Sequence, residues 1–252
     1  MSDSLIVLTF HALDEQGSVI SFSPRLFKQG MAQLYQRGFK SLDISDAARY
    51  LGRDTSPPER SFAITFDDGY QSVYQEAFPV LQRYGMTATV FLTTGKKRDE
   101  RLPSMEGRPM LSWGEIQEMH QAGISFGAHT LTHPDLTRLP LNLIESEIVG
   151  SKSAIEDALS SAVGTFAYPY GRYDTRSREL VSRHFLCACS DRLGLCRSDS
   201  DPYALERVDA YYLRSPRLFQ TMLSRWFPIY VGARSIPRRL RRVVRSVGAI
   251  HG

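Results

Sequence analysis

The sequence predicts an α/β fold: a closed or nearly closed (β/α) barrel of about seven parallel strands. Two observations predict it. Apolar runs of strand length alternate with helix-period segments along most of the 252 residues, as a parallel sheet with crossover helices requires. Polar residues then gather just after several strand candidates, as at the carboxyl-terminal mouth of such barrels. The length suits one domain of barrel size.

In chain order, the strand candidates are Leu5–Phe10, Ser61–Phe66, Thr87–Leu92, Ile124–Ala128, Thr165–Tyr168, Phe185–Ser190 and a weaker run near Leu205–Tyr211. Between them the 3.6-residue period predicts helices at Pro24–Arg37, Ile44–Leu51, Tyr70–Tyr84, Ser112–Gln121, Leu141–Ser160 and Thr175–His184. Ser23 before Pro24, and Ser112 three residues before Glu115, are helix-start signals. Gly38, Gly85 and Gly123 stand where helices should stop. Lys96–Pro109 reads as a long polar loop, suited to a lid or a substrate contact. No internal repeat is evident. The alternation stops after Phe227, so the expected organisation is a barrel of residues 1–227 and a basic amphipathic appendage of residues 228–252.

Hydrophobic residues make up 42% and charged residues 23%, as in ordinary soluble domains. The net charge of +4 does not argue for a nucleic-acid partner, since Arg234, Arg238, Arg239, Arg241, Arg242 and Arg245 supply the whole excess. Neither a signal peptide nor an apolar run of spanning length is evident, which predicts a cytoplasmic protein. Cys187 and Cys189 lie two apart in a strand-like run, a poor geometry for a mutual disulfide, and Cys196 adds only a third sulfur. Reduced, buried thiols are expected.

The candidate chemistry lies at the strand ends: His11 after the first, Asp67 and Asp68 after the second, His129 and His133 after the fourth, and Pro169 and Tyr170 after the fifth. Adjacent aspartates after a buried strand are costly unless their charge is compensated. A divalent cation would do so, and two histidines four apart supply neutral nitrogen ligands. Read alone, Asp-Asp-Gly is also a solvated turn, and the histidines ordinary loop residues. A glycosidase carboxylate pair fits poorly, because such pairs come from separate strands, whereas adjacent residues of an extended chain point to opposite sides. Different tasks suit the two aspartates better, one binding metal and the other accepting a proton from water.

Three ordered motifs resemble the polysaccharide deacetylases, with their NodB-type, TIM-barrel-related fold: Thr65-Phe66-Asp67-Asp68-Gly69-Tyr70, His129-Thr130-Leu131-Thr132-His133-Pro134 and Phe166-Ala167-Tyr168-Pro169-Tyr170-Gly171. Leu111–Ile116 and Gly123–Ala128 add support, and the resemblance covers roughly residues 5 to 212. It implies that Asp67 is the catalytic base, and that Asp68, His129 and His133 hold one divalent ion, zinc in the first instance, with cobalt, nickel or iron also suited. It further implies that the Tyr170 backbone N–H, set by Pro169, binds the oxyanion.

Two features depart from the family pattern. Ala167 stands where the family has an arginine that positions the base; Arg207 is a candidate replacement, with a rim ion pair as its plainer role. The family's late Leu-x-His motif, source of the general acid, is absent, since the late histidines are His184, at a helix end, and His251, in the tail. The start Val7-Leu8-Thr9-Phe10-His11 instead resembles the branch acting on poly-N-acetylglucosamine and related exopolysaccharides, where an N-terminal strand supplies the acid in a circularly permuted arrangement. That assigns His11, whose plainer role is to cap the loop; His120, on a helix, is structural.

The implied reaction is hydrolysis of the acetamide of an N-acetylhexosamine in a polysaccharide or lipid-linked glycan. Related barrels also suggest a small cyclic amide or an acetyl ester as substrate, and a silent carbohydrate-binding module is the non-enzymatic alternative. Retention of both aspartates and both histidines argues against silence. In the tail, Ile236, Leu240, Val243, Val244 and Val247 interleave with the arginines. Such a helix either packs on the barrel with a solvated basic face, or touches an anionic membrane through Arg234–Arg245.

Overall fold

The structure, a computed structural model, describes residues 4–50, 56–95 and 104–236. Seven parallel strands close on themselves: β1 (Ser4–Phe10), β2 (Ser61–Phe66), β3 (Thr89–Leu92), β4 (Ser125–Ala128), β5 (Thr165–Ala167), β6 (Cys187–Leu193) and β7 (Leu205–Asp209). The first strand closes the ring by pairing with β2 on one side (Thr9 opposite Thr65) and β7 on the other (Thr9 opposite Asp209). Two short strands lie outside the ring: Lys40–Leu42 runs parallel to β2, and Cys196–Arg197 antiparallel to the start of β1.

Alternation along the strands sorts the side chains into two layers. Leu8, Phe10, Phe62, Ile64, Phe66, Val90 and Leu92 point outward into a continuous core under the helices. Leu5, Val7, Ala63, Phe91, Ala167, Cys187, Cys189 and Leu205 form a smaller apolar cluster inside the barrel. Ile44 and Ala47, from a short helix at Ile44–Arg49, join that inner cluster. The three cysteines are buried and unbridged, and burial pushes the Cys189 thiol up to about 12. A closed apolar base therefore underlies the mouth.

Most expected helices form. Pro24–Gln36 starts on the Ser23 cap, Trp113–Gln121 on a capping box between Ser112 and Glu115, and Leu141–Leu159 and Thr175–His184 follow their strands. The expected Tyr70–Tyr84 helix differs. It begins as a wide π-helical turn, Val73–Ala77, before continuing as Phe78–Tyr84. Pro79 is the physical reason, because it has no N–H to give to the preceding turn and its ring crowds the carbonyl four residues back. The polar loop also differs in part, since Ser104–Met105 and Arg108–Pro109 pair as an antiparallel hairpin, while residues 96–103 lie outside the described residues.

After β7 come a 3₁₀ turn at Ala210–Leu213, a helix at Pro216–Gln220, and a helical segment over residues 227–236. Phe227 and Val231 of that segment join the outer core. Of the arginines between Arg234 and Arg245, only Arg234 falls within the described residues. Among the described residues, no helix is long and apolar enough to cross a membrane.

The inner packing leaves little slack at Gly127. A Cβ there would lie 2.5 Å from the Thr165 hydroxyl oxygen and 2.6 Å from the Phe91 ring. Gly127→Ala is therefore expected to lower stability by about 1–3 kcal/mol, with the folded barrel retained. Urea unfolding followed by circular dichroism should show a lower midpoint and an unchanged slope.

Candidate active site

The alternation that buries Val7, Ala63 and Leu205 also sends every second residue above them toward the mouth. Thr9 and His11 rise from β1, Thr65 and Asp67 from β2, and Arg207 and Asp209 from β7. All six line one cleft with Asp68, His129, His133 and Tyr170, except Thr65, which lies just beneath it. The cavity measures about 460 Å³.

Arg207 grips Asp67 with both arms of its guanidinium. Nη1 donates to Oδ1 and Nη2 to Oδ2, each at 2.7 Å, and both side chains are almost wholly buried. Two further donors are engaged: Nε reaches the Ser190 carbonyl at 2.9 Å, and Nη1 the Thr65 hydroxyl at 3.2 Å. That hydroxyl bonds the Thr9 hydroxyl at 2.8 Å. Burial opposes charge on Asp67, but the adjacent guanidinium outweighs it and holds the carboxyl far below the ordinary carboxylate range. Arg207 is thus a buried partner of Asp67 rather than an exposed rim residue.

Asp68, His129 and His133 form the second group. Asp68 Oδ1 lies 3.5 Å from His129 Nε2 and 3.4 Å from His133 Nε2, and the three donor atoms all fall within 4.8 Å of one another. The His129 ring is oriented by its other nitrogen, since Nδ1–H donates to the Ala167 carbonyl at 2.6 Å and leaves Nε2 to face Asp68. Burial pushes the His133 imidazole down to about 4, and the neighbouring His129 pushes the same way. Burial also disfavours charge on His129, but its hydrogen bond with Asp68 wins and raises it. Two neutral nitrogens and one carboxylate converging on a common point fit a divalent cation with coordination positions to spare.

The loops that carry these groups adopt backbone conformations L-residues seldom take. Asp68, Thr130, His133 and Tyr170 all have positive φ, at 72°, 68°, 63° and 57°. Specific bonds hold them there: the Thr93 hydroxyl donates to the Asp68 carbonyl, and the His133 N–H donates to the Thr130 hydroxyl. Glu147 accepts from both the N–H and the hydroxyl of Thr132. Pro169 begins the turn that presents Tyr170, whose ring stands edge-on to His133 at 4.6 Å. The following Gly171, at φ 61°, packs so tightly on Asp191 that a Cβ would lie 2.2 Å from its backbone nitrogen. Opposite, His11 Nε2 stands 4.0 Å from Asp67 Oδ2. His120 lies away from the mouth, against Phe126 and the Ile124 carbonyl, and His184 ends its helix outside the cleft.

Of the walls, sequence reasoning marked only the Lys96–Pro109 loop, as suited to a lid or substrate contact. Val19 and Ile20 come from the loop after β1, Met105 and Glu106 from the hairpin, and Tyr211 and Tyr212 from the turn after β7. Two arginines tie these pieces together. Buried Arg108 donates to Asp14 at 2.7 Å and to the Ser18 and Ser21 hydroxyls, while Arg214 donates to the Ser18, Val19 and Ser21 carbonyls. No local pattern marks such links, because their partners lie up to 196 positions apart.

A closed parallel barrel that gathers two carboxylates and three imidazoles at the carboxyl ends of its strands has the form of a barrel hydrolase. A family model described as polysaccharide deacetylase matches residues 54–186. The protein YxkH of Bacillus subtilis (strain 168) is 31% identical over 205 residues, which cover 81% of this chain and 70% of the relative. The poly-beta-1,6-N-acetyl-D-glucosamine N-deacetylase of Staphylococcus aureus (strain MSSA476) is 27% identical over 217 residues, covering 82% and 72%. The solved structure of IcaB from Ammonifex degensii superposes with a TM-score of 0.73 at 26% identity, covering 88% of this chain and 96% of that one. The chain belongs to the polysaccharide deacetylase family.

Arg207→Met tests the buried pair. It strands Asp67 in an apolar setting, and a loss of about 3–5 kcal/mol is expected. The sign of the pH dependence should also reverse. In the wild type the folded pKa lies below the ordinary 3.8, so the contribution of Asp67 is present above that value and fades as acid titrates it. In the variant, burial raises the folded pKa, and stability should fall as pH rises through the carboxylate range. Urea midpoints measured across acid pH would show both effects; equal profiles would contradict them.

Proposed function

We propose that the chain is a metal-dependent N-deacetylase that removes the acetyl group from an N-acetylhexosamine of a polysaccharide or lipid-linked glycan, with poly-N-acetylglucosamine as the model substrate. The observation that carries this reading is the arginine-held Asp67 beside the Asp68, His129 and His133 cluster, in one cleft. The S. aureus relative supports the substrate class, since its name specifies that polymer. Residues 1–227 are read as the catalytic unit, and residues 228–252 as a basic appendage.

Asp68, His129 and His133 would hold the divalent ion, with zinc first and cobalt, nickel or iron as further candidates. The chemistry such an ion supplies when bound is Lewis acidity, which makes a water acidic near neutral pH and polarises the acetamide carbonyl. Asp67 is the base that takes the proton of the attacking water. Arg207 keeps that carboxylate charged and aims it, because a bidentate pair fixes both oxygens. As the tetrahedral centre forms, the Tyr170 backbone N–H donates to the oxyanion, in a turn whose geometry Pro169 begins. His11 then gives a proton to the departing nitrogen, which would otherwise leave as an amide anion. Asp67 and His11 thus work from neighbouring strands, β2 and β1, as base and acid. An acetyl ester would need less help from His11, since an alkoxide leaves more readily than an amide nitrogen.

Acetate release from N-acetylglucosamine oligomers, compared with cyclic ureides and acetyl-xylan, tests the substrate; turnover of the oligomers alone is expected, and no turnover with metal supplied would favour a binding module. His133→Ala should lose bound metal, counted by elemental analysis, together with activity. His11→Ala should keep its metal and lower kcat by about 10²–10⁴-fold. A near-normal kcat in that variant would move the acid elsewhere.

A further inference from the structure

The helical segment over residues 227–236 has two unlike sides. Phe227, Val231 and Ser235, spaced by four, are buried against the barrel. On the outer side, Ile229 is 61% and Ile236 57% exposed, and Trp226, at the start of the segment, is 59% exposed. Spacings of three and seven put these three side chains, with exposed Ala233, on one stripe that no charge interrupts. Arg225 and Arg234 flank the stripe, their guanidinium groups 5.0 Å and 5.5 Å from the Trp226 and Tyr230 ring centres. Single exposed apolar residues need no explanation, but a stripe of bulky ones does.

We propose that this face docks on an anionic lipid surface. An apolar stripe edged by guanidinium groups suits an interfacial helix, with Trp226 and the isoleucines at the acyl boundary and the arginines among the phosphates. Charge selects the same partner. The sequence continues with Arg238, Arg239, Arg241, Arg242 and Arg245, so the basic excess of the chain directly follows the stripe in sequence. A second copy of the chain would bring these arginines together and be repelled. A nucleic acid would match the charge and leave Trp226 and Ile229 in water.

The docking face is joined to the catalytic mouth. The Tyr230 hydroxyl donates to the Tyr212 carbonyl at 2.6 Å, and Tyr212 lines the cleft. A docked helix therefore holds the cleft wall close to the lipid, where a lipid-linked glycan would meet it.

The full-length protein can be sedimented with vesicles of phosphatidylcholine alone or enriched in phosphatidylglycerol. The wild type is expected to pellet with the anionic vesicles and to be released by salt. Combined Trp226→Ser, Ile229→Ser and Ile236→Ser substitutions, all at exposed positions, should keep the wild-type Tm and weaken partitioning about tenfold or more. The chain has two tryptophans, so in a Trp113→Phe background the emission of Trp226 alone should shift to the blue when anionic vesicles are added. Equal pelleting of the wild type and the triple variant overturns the proposal, as does failure of the wild type to pellet. So does a wild-type dimer that the triple variant converts to a monomer.

Discussion

An ionised carboxylate on the inner wall of a closed apolar barrel is costly to place, and the Asp67–Arg207 pair is how this chain places one. The cost of desolvating two charges is met only when the geometry is good and the spare donors are satisfied. Here the contact is bidentate, and two further guanidinium donors reach Ser190 and Thr65. The pair also constrains the topology. Asp67 extends β2 and Arg207 sits on β7, strands that meet only because β1 lies between them and pairs with both. The closure of the ring and the charge state of the carboxylate are therefore one problem. The register shift in β6, between Cys189 and Leu193 opposite β7, falls beside Arg207 and leaves the Ser190 carbonyl facing its Nε.

Above that pair, the rim stores conformational strain. Four non-glycine residues with positive φ each cost on the order of 1–3 kcal/mol, and such a cost persists only where surrounding bonds over-determine the turn. Here two of the four are Asp68 and His133, whose side chains must converge to within a few ångströms. An ordinary extended exit would send the Asp68 side chain away from that of His133. The left-handed residue turns it back, while Asp67, one position earlier, continues the strand and keeps to the arginine. Adjacent aspartates thereby occupy two different electrostatic settings, one beside a guanidinium and one beside two imidazoles.

Much of this was legible in the sequence, because it rests on local periodicity. A period of two at Val7, Thr9 and His11, or at Ala63, Thr65 and Asp67, both buries the base of the barrel and raises the polar residues above it. A parallel sheet, closed or nearly closed, follows from the strand–helix alternation. What could not be read depends on partners remote in sequence. The Arg108 and Arg214 ties that build the cleft walls join segments with no shared pattern. The wide turn at Val73–Ala77 was concealed because Tyr70–Tyr84 keeps its helical period through Pro79, and the cost of that proline appears only as backbone geometry. Arg207 was intermediate: its strand was a weaker run, and Asp67 was its candidate partner beside the plainer reading of a rim ion pair.

Position 167 carries alanine, and the arginine beside Asp67 comes from β7. The backbone at 167 has a task that any residue there can perform, since its carbonyl fixes the His129 tautomer. The side chain at 167 has a different constraint, which is volume. Ala167 shares the inner cluster with Phe91, and the Arg207 guanidinium lies 5.9 Å from the Phe91 ring centre. A large side chain at 167 and an arginine at 207 would compete for that space, and two guanidinium groups beside one carboxylate would leave an uncompensated buried cation. A small residue on β5 and an arginine on β7 therefore form a coupled choice. The carboxylate needs one bidentate partner from inside the barrel, and its electrostatics are indifferent to which strand supplies it.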